Sequence, residues 1–384
     1  SVPFGGGGGA KQQWIENEFE NLDRFEKIYL ATDMDKPGDE AADVIAERLG
    51  RHRCLRVKMP FKDANECLME GVPVETMAKC IAEAEGLDPE GLRRPSDYAL
   101  EVTRLFWPDH STPIGYRTPY AKLGDKLLFR PSELTLWSGA SGAGKSQILS
   151  DCIVDWVQQG SRVCLSSLEM KGAQSLKRMC KQVVGVDRPT EKAINMSMDW
   201  LDGGLLLYEK LGKAGVSGLL DIFNFAHAKY GCDQFVIDSL MRLGIAADDY
   251  NGQEKAVFQM VEWVTARRAH LHLVAHARKS GIDKGVPETE DVKGASEIGA
   301  NAFNIITVWR NRKLEDDLKS AKTDEERAEL NKKPGVIMNV AKQRNGDFEG
   351  RVGLWFDQQT YRYHSSQDSS LWGRRYLENE REAA

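Results

Sequence analysis

The sequence predicts an α/β protein of two unequal domains joined by a short helical linker, and three observations carry that prediction. Near the N-terminus, an apolar run, a helix-like stretch and a second apolar run follow one another over residues 27–59, the pattern of a βαβ unit with a parallel sheet. Further on, seven strand-like runs occupy 134–138, 163–168, 235–237, 271–275, 302–309, 336–341 and 352–356, with helical stretches between the earlier ones. The first of these runs leads straight into GASGAGKS, residues 139–146, which opens a helical stretch.

In the first block the strand at 27–32 ends on Asp33-Met34-Asp35, a helix follows at 38–49, and a second strand at 54–59. The division expected is a first domain at 1–89, a linker with a helix at 90–112, a large domain at 113–364 and a polar tail at 365–384. In the linker, residues 96–107 read as an amphipathic helix with Ser96 or Asp97 as N-cap and Tyr98, Val102, Leu105 and Phe106 on one face. Such a face is buried either on a neighbouring subunit or on its own domain. Residues 312–333 are dense in Lys, Asp and Glu and read as a solvated helix or mobile insertion without a role in the site. The residues after Tyr363 read as polar and loosely ordered.

Composition narrows the class. With 384 residues the chain holds two domains, and 41% hydrophobic with 29% charged residues is the balance of a soluble cytoplasmic protein. No apolar stretch approaches the roughly 20 residues of a membrane span. The seven cysteines contain no CxxC pair, which argues against a zinc ribbon or a disulfide framework and for a reducing compartment. A net charge of −6 excludes a uniformly basic nucleic-acid coat but not a local basic patch. Residues 1–10 hold five consecutive glycines and no signal pattern, and the chain starts without Met. It is therefore expected to be a fragment or a trimmed product.

The segment GASGAGKS has the context of a phosphate-binding loop, with the strand LTLW before it and the helix QILSDCIVDWVQQ after it. Gly139, Gly142 and Gly144 let backbone N–H groups turn toward phosphate oxygens at a helix N-terminus, with Ser141, Ala143 and Gln147 completing the loop. Lys145 is expected to bridge the β- and γ-phosphates and Ser146 to ligate Mg²⁺, with ATP or another NTP as substrate. A second acid at a neighbouring strand end is supplied by Asp238, after Phe235-Val236-Ile237. Glu169, after VCLSSL, is placed to orient the attacking water as general base. His276 ends the run LHLVA and is a candidate sensor of the γ-phosphate, whereas His270 and His272 read as structural or solvent-facing. Lys342 and Arg344, in AKQRNG, are either surface charges or a finger reaching a neighbour's nucleotide.

Together these landmarks resemble the replicative ring helicases of the DnaB, Twinkle and phage primase-helicase superfamily, over residues 114–363. SSLEM (166–170) looks like the family's catalytic-Glu motif, FVIDSL (235–240) like its second Walker motif, HARK (276–279) like the Twinkle form of the sensor, and AKQRNG (341–346) like the DnaB finger motif. The resemblance implies a RecA-like core, a hexamer or heptamer, and 5′ to 3′ movement on single-stranded DNA to open forked duplex. Its partners would be DNA, further copies of itself, and a replication polymerase or loader, in the cytoplasm of a bacterial or phage-infected cell, with a mitochondrial origin left open. The family's pore loops would fall at 242–253 and 278–299, making Arg242, Arg278, Lys279, Lys284 and Lys293 candidate DNA contacts among interspersed acids.

In the first block DMDKPG (33–38) and KDANECL (62–68) resemble the TOPRIM fold of the same proteins. There Asp33 and Asp35, with an earlier Glu, would hold Mg²⁺ for phosphoryl transfer. The family's first TOPRIM strand and its Glu would lie upstream of Ser1, and no zinc-module spacing occurs, so primase activity is expected to be absent or impaired. The competing expectation is a RecA-like single-stranded-DNA ATPase that anneals or remodels without unwinding.

Overall fold

The computed structural model describes residues 14–87, 94–107, 114–209, 215–246, 249–275, 286–287, 295–368 and 373–377. His276, Arg278, Lys279, Lys284 and Lys293 lie outside the described residues. The chain divides into two compact units, 1–109 and 110–384.

The first unit runs α1 (Trp14–Asp23), β1 (Ile28–Leu30), α2 (Lys36–Leu49), β2 (Cys54–Arg56), α3 (Ala64–Met69), α4 (Val74–Ala82), β3 (Glu85–Gly86) and α5 (Ala99–Phe106). As expected from the βαβ pattern, β1 and β2 pair in parallel, Ile28 opposite Cys54, and β3 adds an antiparallel edge. Ala42, Ile45, Ala46 and Leu49 recur at helical spacing and bury one face of α2 against Ile15, Leu30 and Cys54. The segment 62–68 has a local reason for its residues. Asp63 accepts from the Glu66 amide at 2.7 Å while Glu66 accepts from the Lys62 amide at 3.2 Å, a reciprocal cap that starts α3.

The linker helix begins differently from the expectation. Neither Ser96 nor Asp97 caps α5; a 3₁₀ turn over Pro95–Tyr98 precedes it, and Asp97 accepts from the Arg94 amide at 3.0 Å. Pro95, with φ fixed and no N–H to satisfy, favours starting the turn one residue earlier. Leu105 and Phe106 of the helix's apolar face are 77% and 76% exposed, Trp107 beside them is 81% exposed, and among the described residues none covers them.

The second unit is built on a nine-stranded sheet. Its strands are β4 (Tyr116–Arg117) and β5 (Leu128–Phe129), which form a separate pair, then β6 (Glu133–Gly139), β7 (Val163–Ser167), β8 (Leu205–Tyr208), β9 (Gln234–Asp238), β10 (His270–Val274), β11 (Asn304–Arg310), β12 (Val336–Gln343), β13 (Gly350–Phe356) and β14 (Tyr363–His364). The helices are α6 (Lys145–Gln158), α7 (Gly172–Val184), α8 (Glu191–Asp202), α9 (Val216–Tyr230), α10 (Tyr250–Arg267), α11 (Ala295–Asn301), α12 (Arg312–Ser320) and α13 (Asp324–Asn331). Sheet order is β14-β13-β12-β11-β6-β10-β9-β7-β8. The six strands from β11 to β8 are parallel, and β12 to β14 extend the sheet antiparallel.

Every residue of β6 is buried, because the sheet is covered on both faces. Trp137 joins the cluster under α6 and α7, and Leu134 and Leu136 join the one under α9 and α10. His270 and His272 are fully buried, which upholds the structural reading and corrects the solvent-facing one. His270 bonds Thr135 Oγ1 at 2.8 Å and the Arg130 carbonyl at 2.6 Å. His272 bonds Gln234 Oε1 at 2.7 Å and stacks on Trp156 at 4.3 Å.

Of the two readings of 312–333, the solvated helix holds and the mobile insertion does not: residues 312–331 form α12 and α13, largely exposed and anchored by buried Leu314. A further expectation changes. Beyond Tyr363, where the sequence reads as loosely ordered, the described stretch 373–377 is docked, with Tyr376 and Leu377 buried in the core under α6.

Candidate nucleotide site

The site begins where β6 turns into α6. Gly139 lies so close to β11 that a Cβ there would collide with the Val308 carbonyl, which explains the glycine at the strand's end. Ser141, Gly142 and Ala143 make the turn, with Ala143 buried. Gly144, at φ 103°, is in a backbone region that glycine alone enters readily, and it leads directly into Lys145 at the first position of α6. The Lys145 ammonium is buried and donates to the Gly139 and Ala140 carbonyls at 2.9 and 3.0 Å. Burial pushes its pKa down, and the charges of Asp238 and Glu169 oppose that. A cation held over a helix N-terminus by its own loop is suited to an anion with several oxygens.

Opposite the loop, β7 and β9 pair in parallel with Ser167 beside Asp238. That register brings Glu169, two residues past β7, to the same edge. Asp238 is hydrogen-bonded to Ser146; burial pushes its carboxyl up, Glu169 adds to the push, and Lys145 and Arg178 counter it. Ser239 donates to Glu169 Oε1 at 2.5 Å. A cleft of 230 Å³ gathers Lys145, Ser146, Glu169 and Asp238 with Gly142 and Gly144. A hydroxyl and a desolvated carboxylate side by side form a donor set that fits Mg²⁺ beside a phosphate chain.

Several residues in and around this cleft escape strand-end reasoning. Arg178, on α7, lines it; its guanidinium contacts Met170 Sδ at 3.5 Å, and burial lowers its pKa, with Asp238 opposing. The only sequence signal was a basic residue on the helix that follows Glu169. Arg310 and Arg312, flanking the start of α12, each reach a loop carbonyl at 3.3 Å, of Gly142 and Ser141 respectively. Thus the start of the charged segment, read as having no role in the site, borders the loop. Gln147 lines the cleft as well and donates to the Tyr361 carbonyl.

Lys342 and Arg344 are not in this cleft. Lys342 pairs with Ile305, whereas Val308 pairs with Gly139, so the basic pair lies toward the opposite edge of the sheet. Lys342 donates to the Gly299 carbonyl at 2.7 Å, and Arg344 bonds Ala300 and covers the Phe303 ring. Arg242 is exposed just after β9. In the first unit Asp35 caps α2 through the Gly38 amide at 2.9 Å and pairs with Lys62 at 3.4 Å; these contacts hold its carboxyl below the ordinary value. Asp33 is exposed nearby. Among the described residues no group of three or more His, Cys, Asp or Glu side chains converges as a metal cluster would, and no helix is long and apolar enough to cross a membrane.

Residues 111–281 match the family model described as an AAA domain, and residues 5–68 match one described as Toprim-like. The Twinkle homolog protein, chloroplastic/mitochondrial, of Arabidopsis thaliana is 26% identical over 329 residues, 79% of this chain and 46% of that protein. The DNA helicase/primase of Enterobacteria phage T3 is 23% identical over 338 residues, 81% of this chain and 58% of that protein. The chain thus spans about half the length of these relatives. Among solved structures, a DnaB-like replicative helicase superposes with a TM-score of 0.57 at 14% identity, covering 78% of this chain and 71% of that one. Fold and loop together define a RecA-like α/β core with a P-loop turn, preceded by a Toprim-like unit. Over most of its length the chain is thus similar to Twinkle and to a phage helicase/primase, and its fold to that of a DnaB-like helicase.

Proposed function

We propose that this chain is the motor subunit of an ATP-driven ring helicase that moves 5′ to 3′ on single-stranded DNA and opens forked duplex, as a hexamer or heptamer. The observation that carries the reading is the division of the site. Lys145, Ser146, Glu169 and Asp238 share one cleft, while Lys342, on β12, sits beside Ile305 of β11, three residues back from the Val308 that flanks Gly139, roughly 10 Å along the strand at about 3.3 Å per residue. A basic pair turned from its own loop suits a neighbour's cleft, and hydrolysis would then require assembly.

In this reading Lys145 binds the β- and γ-phosphates, and Ser146 and Asp238 hold Mg²⁺, which when bound neutralises charge between the phosphates. Glu169 accepts a proton from the water whose oxygen bonds the γ-phosphorus as the bond to the bridging oxygen breaks. Ser239 keeps that carboxylate aimed, and Arg178 adds positive charge beside the phosphates. His276 would sense the γ-phosphate, and Arg242, Arg278, Lys279, Lys284 and Lys293 would hold DNA phosphates. For the first unit we propose no catalysis by Asp33 and Asp35, since Asp35 is committed to its cap and to Lys62. The motor would extend at least to Leu377, whose side chain is buried in its core.

Strand displacement on a forked duplex, with and without a 5′ single-stranded tail, tests the reading. Unwinding only with the tail is expected. Unwinding without it would sink the polarity, and DNA-stimulated hydrolysis with no unwinding would favour an annealing or remodelling ATPase. Primer synthesis by the same preparation would overturn the reading of the first unit.

A further inference from the structure

A buried and densely bonded charge in the second unit belongs to a residue that the proposed reaction does not use. Asp151 lies on α6, six residues past Lys145, and is fully buried. Its carboxylate accepts from Arg374 Nη1 at 3.0 Å and Nη2 at 3.2 Å, from the Tyr363 amide at 3.1 Å and from Tyr120 Oη at 3.3 Å. Arg374 Nη2 also donates to the Tyr363 carbonyl at 2.7 Å. Both backbone polar groups of Tyr363 are therefore fixed, one by α6 and one by the C-terminal stretch.

What Tyr363 does with that fixed backbone is contact the phosphate loop. A Cβ on Gly144 would lie 2.7 Å from Tyr363 Oη, so the phenol tip packs against the residue immediately before Lys145. The stretch bearing Arg374 is anchored a second time. Tyr376 donates to Asp155 Oδ1 at 3.2 Å on the same helix, and the Arg362 guanidinium covers the Tyr376 ring at 5.2 Å. Arg362 also donates to the Gln182 carbonyl of α7 at 2.7 Å and to the Arg374 carbonyl at 2.8 Å. One short segment thus ties together the helix that carries Lys145, the helix that carries Arg178, and the ring that abuts Gly144.

We propose that Arg374 is a positioning residue for the nucleotide site, acting through Asp151 and Tyr363 to hold the phosphate loop ready for the triphosphate. The proposal rests on the reading of the loop as an ATP site. A bidentate guanidinium–carboxylate pair fixes direction as well as distance. Without it the loop is expected to be in its binding-competent form only part of the time, and apparent affinity falls by that fraction. Chemistry in the bound complex is not the step that suffers.

The test uses the full chain and four variants, with MgATP as ligand, measuring equilibrium binding, steady-state hydrolysis and melting. Arg374→Met is expected to weaken MgATP binding about tenfold, the effect of a loop competent about one-tenth of the time, with kcat within about twofold. Arg374→Lys should recover part of the affinity. Asp151→Leu with Arg374→Met removes both charges, so no charge is stranded and melting recovers, yet affinity stays low because the Tyr363 backbone has lost both partners. Tyr363→Phe, which leaves the ion pair intact, should give a smaller loss in the same direction. Wild-type affinity in Arg374→Met or in the double variant, at a lowered melting temperature, would make Arg374 a strut for the fold alone and overturn the proposal. Wild-type protein that neither binds nor hydrolyses MgATP would instead overturn the ATP-site reading beneath it.

Discussion

The Ser239 hydroxyl donates to Glu169 Oε1 at 2.5 Å, across 70 residues of chain, because β7 and β9 are neighbours in the sheet. This bond ties the carboxylate expected to act as base to the residue beside the one expected to hold the metal. A hydrogen bond to a charged group contributes about 1.5–3 kcal/mol. Ser239→Ala should therefore lower kcat for DNA-stimulated ATP hydrolysis about tenfold or more and leave KM nearly unchanged. Glu169→Gln should lower kcat further while retaining MgATP binding. A Ser239→Ala enzyme with wild-type kcat would show that the bond does not orient the base.

Lys145→Ala removes the cation at the mouth of α6 and should abolish hydrolysis. Arg178→Met should weaken MgATP binding, since a half-buried guanidinium that lines the cleft beside Asp238 helps neutralise the phosphates. Nucleotide binding measured by equilibrium titration separates the two, and unchanged affinity in Arg178→Met would remove that residue from the site.

Gly144→Ala places a methyl group against Tyr363 Oη at a φ of 103°. Strain and collision act together, so loss of nucleotide binding with little change in melting is expected. Retained binding would mean that the loop relaxes around the methyl group.

Arg344→Ala subunits mixed with wild type should depress activity more steeply than their fraction, if the residue completes a neighbour's cleft. Loss in simple proportion would place its action within its own subunit. The separation of Lys342 and Arg344 from the local loop favours the steep curve.

Stability should fall on mild acidification. Burial pushes His270 down to about 3 and His272 well below its ordinary value. Both therefore stay neutral in the fold while the unfolded chain takes up protons below about pH 6.5. A depressed folded pKa means that stability is full above the unfolded value and is lost as pH falls below it, at up to about 1.4 kcal/mol per pH unit for each histidine. Urea midpoints at pH 7.5 and 5.5 check this, and equal midpoints would contradict it.

The local landmarks were legible in the sequence because each is written in contiguous residues. A glycine-rich turn between an apolar strand and a helix, a strand ending in Asp and another followed by Glu each announce themselves through burial and spacing. The first βαβ unit was legible for the same reason, although its strands came out shorter than the apolar runs. The cap of α5 was missed because Pro95 displaced it, and β8 and β14 are too short to stand out from their surroundings.

By itself, then, the sequence determined the loop around Lys145, the acids Asp238 and Glu169, and the α/β order that puts them at strand ends. Tertiary structure alone decided what surrounds them. Strand order brought Ser239 to Glu169, the packing of α7 turned Arg178 into the cleft, and β12 carried Lys342 and Arg344 away from it. The segment 373–377, which reads as loose polar chain, is fixed by an ion pair to a helix more than 200 residues earlier in the chain. Contacts between residues far apart in the chain depend on sheet order and helix packing, and a linear pattern of apolar and polar residues specifies which face is buried but not what it meets there.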